Sequence, residues 1–168
     1  MRSPVPCTSI TRESGGSITV VLPKGARCAG TGAAGVAFWA AQMASGLTFE
    51  QVRLAFVGSP EYFTHHNSDP SQTIDALYND VLGRSDATDP AGKTYWMANF
   101  NVNTIAGQFL FSYEGRQFLV SGYYQSILHR AADLAGVSFW TLQILLNGAS
   151  DENIIEQLMS SPEFLASV

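Results

Sequence analysis

Three copies of Gly-x-x-aromatic-Trp constrain this chain more than any other feature: Gly35-Val36-Ala37-Phe38-Trp39, Gly92-Lys93-Thr94-Tyr95-Trp96 and Gly136-Val137-Ser138-Phe139-Trp140. They hold all three tryptophans of the protein. Each is followed by Ser-x-Glu, at Ser59-Pro60-Glu61, Ser112-Tyr113-Glu114 and Ser161-Pro162-Glu163, with Trp-to-Glu spans of 22, 18 and 23 residues. The chain is therefore an internal repeat with a period of roughly 45 to 57 residues, and such repeats bury their apolar faces against one another.

The pattern inside each copy is helical. Ala33 to Ser45 is apolar around most of its circumference, which fits a helix packed on several sides, and Gly46 ends it. Thr48 stands three residues before Gln51, a capping box that opens Phe49 to Val57, with Phe49, Val52, Phe56 and Val57 expected as one buried stripe. Ser59-Pro60-Glu61 is a helix start: Ser caps a free amide, Pro has no N–H to waste, and Glu opposes the positive end of the helix dipole. After the polar connection His65 to Pro70, Ile74, Leu77, Tyr78 and Val81 mark an amphipathic helix over Ser71 to Leu82, closed by Gly83-Arg84. Tyr123 to Arg130 matches Leu77 to Arg84 position for position. In the last copy Leu134 to Asn147 is the Trp helix, Gly148 its stop and Ser150 the next cap, with Ile154, Ile155, Leu158 and Met159 expected to be buried.

Residues 1–32 lack this pattern. Ile18 to Leu22 is long enough for a single strand, but no partner strand is visible, and the segment is expected to be loosely ordered or to drape over the first copy. It stands where the leading helix of copy one belongs, so that copy reads as truncated. Its apolar pentad is too short for a signal-peptide core, and no run reaches the eighteen or so apolar residues of a spanning helix. The expectation is a protein that stays in the cytoplasm or leaves by a route reading no N-terminal signal. Cys7 and Cys28 allow one disulfide, on which the repeats do not depend, and no Cys/His grouping reads as zinc.

A net charge of −5, with only nine Lys and Arg and no cluster of them, argues against nucleic acid or an anionic membrane as partner. The tryptophans offer faces for stacking on sugars, but a repeated aromatic at helical spacing fits core packing better. The Gly four positions before each Trp fits close approach of another backbone. Glu61, Glu114 and Glu163 suggest paired carboxylates, yet their place behind a capping Ser explains them without catalysis. Asp86 and Asp89 fall short of a calcium loop, and an acidic cap of the Trp helix is the better reading. Arg84 and Arg130 are assigned to holding the loop through carboxylates or backbone carbonyls. His65, His66 and His129 form no metal pair, and neither a nucleophile elbow nor a phosphate-cradling loop is present. No cofactor and no enzymatic activity are expected.

The series Leu77-Tyr78-x-x-Val81-Leu82-Gly83-Arg84, Gly92-x-x-Tyr95-Trp96 and Ser161-Pro162-Glu163-Phe164 resembles the bacterial family called domain of unknown function 4214. Copy three carries the same marks at Tyr124, Ile127, Leu128, Arg130, Gly136, Phe139 and Trp140. The resemblance covers about Ala33 to Val168, with three departures: copy one has no Leu-Tyr helix, Tyr113 replaces Pro, and His129 replaces Gly. It implies an all-helical repeat, distantly similar to phycobilisome linker domains, of the kind found in large secreted or surface proteins of bacteria. It brings no active site.

The expected fold is all-α, a compact array of short helices from about three degenerate copies at 33–70, 71–118 and 119–168, behind a poorly structured or degenerate segment 1–32. The structural motif is Gly35, Trp39, Ser59, Glu61, Tyr78, Arg84, Gly92, Trp96, Glu114, Tyr124, Arg130, Gly136, Trp140, Ser161 and Glu163. The expected function is a non-catalytic interaction module of a secreted or cell-surface protein, contacting protein or glycan. Its rivals are a substrate-attachment domain of a polysaccharide-acting enzyme and a linker-like scaffold joining subunits.

Overall fold

The computed structural model describes residues 9–12, 18–21 and 33–167. These fall into two units, one ending at Leu47 and one beginning at Thr48. In the first, β1 (Ser9–Arg12) and β2 (Ile18–Val21) form an antiparallel pair with Ser9 opposite Val21 and Arg12 opposite Ile18. The apolar stretch beginning at Ile18 is thus not a lone strand. Its partner is short and half polar in sequence, which hides it from a search for apolar alternation. Cys7, Cys28 and the other expectations for residues 1–32 lie outside the described residues. The helix α1 (Ala33–Ala44) follows and ends at Gly46, whose φ of +103° a side chain would resist.

The second unit is helical throughout. In order it has α2 (Phe49–Val57), α3 (Pro60–His65), α4 (Pro70–Leu82), α5 (Pro90–Ala98), α6 (Val102–Leu110), α7 (Tyr113–Ile127), α8 (Leu134–Asn147), α9 (Asp151–Met159) and α10 (Pro162–Ser167). The repeat is visible as α4, α5, α6 followed by α7, α8, α9. The expected starts are present: Thr48 and Gln51 form a capping box on α2, and Ser59 accepts from the Tyr62 amide at 3.0 Å. Ser161 does the same for Phe164 at 3.2 Å. Copies one and two differ after their Ser-x-Glu. The helix from Ser112 runs straight into α7, whereas the one from Ser59 breaks at His66, with Asn67 and Ser68 at positive φ, and Asp69 caps a new helix at Pro70.

Two apolar clusters carry the packing. Ile74, Leu77, Tyr78 and Val81 of α4 meet Ile105, Ala106, Phe109 and Leu110 of α6. Val120 and Tyr124 of α7 meet Val137, Ile144, Ile154 and Leu158 of α8 and α9. Each buried aliphatic side chain contributes about 1.5–3 kcal/mol. Two expected stripes are corrected. On α2, Phe49 and Phe56 lie on the exposed side, while Leu54 and Val57 pack against the first cluster. On α9, Ile154 and Leu158 are buried, but Ile155 is only half covered and Met159 is 47% exposed.

Candidate functional site

Motif residues of copies two and three converge on one constellation, built twice. At the end of α4, Gly83 takes the left-handed conformation, φ +69°, and turns Arg84 back over the Tyr78 ring, its guanidinium carbon 4.8 Å from the centroid. Arg84 then makes a two-pronged pair with Glu114, Nη2 to Oε2 at 3.2 Å, and gives Nη1 to Thr88 Oγ1 at 2.9 Å. The Tyr78 hydroxyl donates to Asp89 Oδ2 at 2.9 Å, and Asp89 Oδ1 accepts from the Gly92 amide at 2.8 Å, capping α5. The next copy repeats this. His129 holds the left-handed position at φ +53°, and Arg130 stacks 5.0 Å from the Tyr124 centroid and grips Glu163 with two prongs, Nη2 to Oε2 at 2.8 Å. Arg130 Nη1 also donates to the Ala131 carbonyl at 3.0 Å, and Asp133 caps α8 through the Gly136 amide at 2.8 Å.

The motif glycines have a cause different from the expected one. A Cβ on Gly92 would stand 2.6 Å from the Tyr78 hydroxyl, and one on Gly136 2.3 Å from that of Tyr124. A tyrosine tip, and at Gly92 also the capping Asp89 carboxylate at 2.2 Å, needs the space, not a backbone. Glu114 and Glu163 likewise do more than oppose a dipole: each clamps the loop of the preceding unit. Glu61 lies exposed on the first turn of α3, and Gly35 is buried in α1.

The electrostatics follow from these contacts. Burial, then the hydrogen bond to Asp89, pushes the Tyr78 hydroxyl up to about 12. The Gly92 amide, then Tyr78, holds Asp89 below its ordinary value, and the Gly136 amide does the same for Asp133. Hydrogen bonding from Arg130 lowers Glu163. Asp86, paired with Lys93 Nζ at 2.8 Å, is lowered by that contact. Every charge near the loop has an internal partner, so the constellation is a fastening.

The tryptophans are half-buried. Trp96 lies edge-on to Phe109 at 5.6 Å and against the first cluster, and Trp140 packs on the second. Trp39 is half-buried beside Phe38, edge-on at 5.2 Å. The aromatics preceding Trp96 and Trp140 face outward. Tyr95 is 59% and Phe139 53% exposed.

A buried polar cluster escaped the sequence. Arg116 of α7 faces Asp151 Oδ1 at 3.4 Å and Glu50 Oε1 at 3.9 Å, so one guanidinium serves two carboxylates. Burial, then the neighbouring Glu50, raises Asp151 to about 6. Burial also opposes charge on Glu50, but hydrogen bonds from Thr48 and the amides of Glu50 and Asp151, with Arg116, leave it below its ordinary value. The cluster joins two helix starts reciprocally: the Asp151 amide donates to Glu50 at 3.2 Å, and the Phe49 amide donates to Glu152 at 3.1 Å. No local pattern announces a pairing across a hundred residues.

One surface stands apart. Phe139, Leu142, Leu145 and Leu146, spaced three, four and seven apart, share an outer face of α8, Leu146 75% exposed, turned away from Val137, Thr141 and Ile144, which are buried. Large contiguous apolar patches on a protein surface mark interaction sites. Among the described residues no group of three or more His, Cys, Asp or Glu is arranged to hold a metal, and no helix is long and apolar enough to cross a membrane.

The family model described as domain of unknown function (DUF4214) matches residues 54–114 and 112–168. The two matches share Ser112 to Glu114, where Glu114 opens α7 yet clamps Arg84 of the unit before. No curated protein and no solved structure matches the chain.

Proposed function

Since this chain, matched over most of its length, belongs to the domain of unknown function 4214 family, we propose that it is a non-catalytic interaction module that docks a protein partner through the outer face of α8. The observation that carries this is the row of four large exposed apolar side chains on that face, Phe139, Leu142, Leu145 and Leu146. Exposed apolar side chains in such a row suit the dry centre of a protein interface. Supporting the non-catalytic part, Tyr78, Arg84 and Glu114, and again Tyr124, Arg130 and Glu163, are engaged with one another. The family resemblance supports placing the module in a secreted or cell-surface bacterial protein.

A glycan reading rests on Tyr95 and Phe139, outward-facing at matching positions. One experiment separates the two: a photo-crosslinking phenylalanine analogue at position 146 of the intact chain, in the cells that make it. A discrete protein adduct, lost on Leu142→Asp, supports protein docking. Glycan binding on an array that Tyr95→Ala and Phe139→Ala abolish, without a protein adduct, favours the sugar reading. Neither result would sink both.

A further inference from the structure

The helices that follow the Trp helix in each copy share a surface. Aligned on the Ser-x-Glu that ends each copy, Glu50 corresponds to Asn103 and Glu152, Leu54 to Gly107 and Glu156, and Gly58 to Phe111 and Ser160. In the structure α2 and α6 hold each other by these positions. A Cβ on Gly107 would lie 3.8 Å from Leu54 Cδ1, and one on Gly58 would come within 3.2 Å of Asn103 Cα. Position 54 meets its own equivalent, and position 58 meets the equivalent of position 50. That is the contact set of an antiparallel pair related by a local two-fold axis.

On α9 the first of these positions, Glu152, is half covered and takes the Phe49 amide, while Glu156 and Ser160 are exposed. Glu152, Ile155, Glu156, Met159 and Ser160, with Phe49 as a side wall, line a groove of about 510 Å³. The surface by which copies one and two clasp each other thus recurs in copy three, met at its start by α2 and, among the described residues of this unit, exposed at Glu156, Met159 and Ser160. We propose that this groove takes an amphipathic helix of another protein, lying antiparallel on α9 as α2 lies on α6 and carrying a lysine or arginine opposite Glu156. Ile155 and Met159 supply the apolar floor. The charge sets the partner: Glu156 stands where α6 has Gly107 and α2 has Leu54, on the axis of the pair. A second copy of this chain would bring Glu156 against Glu156, and a net charge of −5 adds to that repulsion. Like charges in contact exclude a partner as effectively as good contacts select one. This groove is a different surface from the outer face of α8, and its test does not depend on that face.

The probe is a stapled, fluorescein-labelled peptide of residues 48–60 carrying Leu54→Lys, titrated by anisotropy into the intact chain at low salt. It should bind at least ten-fold more tightly than the same peptide carrying Leu54→Glu. Glu156→Lys in the chain should reverse that preference, and Met159→Asp should abolish binding of both, with the far-UV spectrum unchanged because both side chains are exposed. Equal binding of the two peptides, no binding of either, or binding indifferent to Met159→Asp overturns the proposal. So does a wild-type chain that sediments as a dimer and becomes monomeric on Met159→Asp, which would give the groove to a second copy.

Discussion

Replacing Gly92 by Ala tests the fastening directly, because the two effects in play have opposite signs. In an ordinary helix interior the change stabilises by about 1 kcal/mol, since glycine loses more backbone freedom. Here the new methyl would stand 2.2 Å from Asp89 Oδ2 and 2.6 Å from the Tyr78 hydroxyl. Tyr78 is packed in the core on all sides and has no room to withdraw, so the hydroxyl-to-carboxylate bond breaks, at about 1.5 kcal/mol for a charged acceptor. The displaced Asp89 also weakens its cap, about 1 kcal/mol more. The net is a loss of about 1–2 kcal/mol, which at a urea dependence of about 2 kcal/mol per molar lowers the midpoint by about 0.5–1 M. Gly122→Ala is the control: it lies within α7 with nothing inside 4 Å of the added carbon, and its midpoint should rise. In a Tyr78→Phe background Gly92→Ala should cost little, since the hydroxyl and its bond are already gone and the weakened Asp89 cap is offset by the helix gain. If Gly92→Ala stabilises as Gly122→Ala does, the account of the motif glycine is wrong.

Two further outcomes follow. His129→Gly should stabilise by about 1 kcal/mol, because a non-glycine residue at φ +53° pays a left-handed penalty that glycine escapes, and a thermal melt beside wild type reads the sign. Asp151 is held above its ordinary value, so the folded chain binds an extra proton between about pH 4 and 6. Stability from this group is therefore full at the acid end and falls as pH rises through about 6, by about 2–3 kcal/mol. Asp151→Asn should flatten that slope and raise stability above pH 7, leaving Arg116 a one-to-one partner in Glu50. An unchanged slope would remove Asp151 as its source.

Local features were legible in the sequence, and distant ones were not. The capping box at Thr48 and Gln51, the Asp89 cap and the stripe Ile74, Leu77, Tyr78, Val81 each depend on residues within two turns, so spacing alone exposes them. That Arg84 and Arg130 hold their loops was readable, but not that the carboxylates are Glu114 and Glu163, thirty or more residues on. The glycine signature announced a close approach without saying which atom approaches. Glu50, Arg116 and Asp151 each look like ordinary surface charges in their own helices, and only folding brings them under cover. Ile155 and Met159 fit a buried stripe by period, yet a period shows which way a side chain points and not whether anything lies over it.

The exchange between the starts of α2 and α9 spans 103 positions. A polypeptide emerging from the ribosome therefore completes the anchoring of an early segment only when a late one arrives. Lengthening the row by one more module between them would pull the two starts apart, so evolution cannot extend this architecture there as freely as it extends an open-ended solenoid.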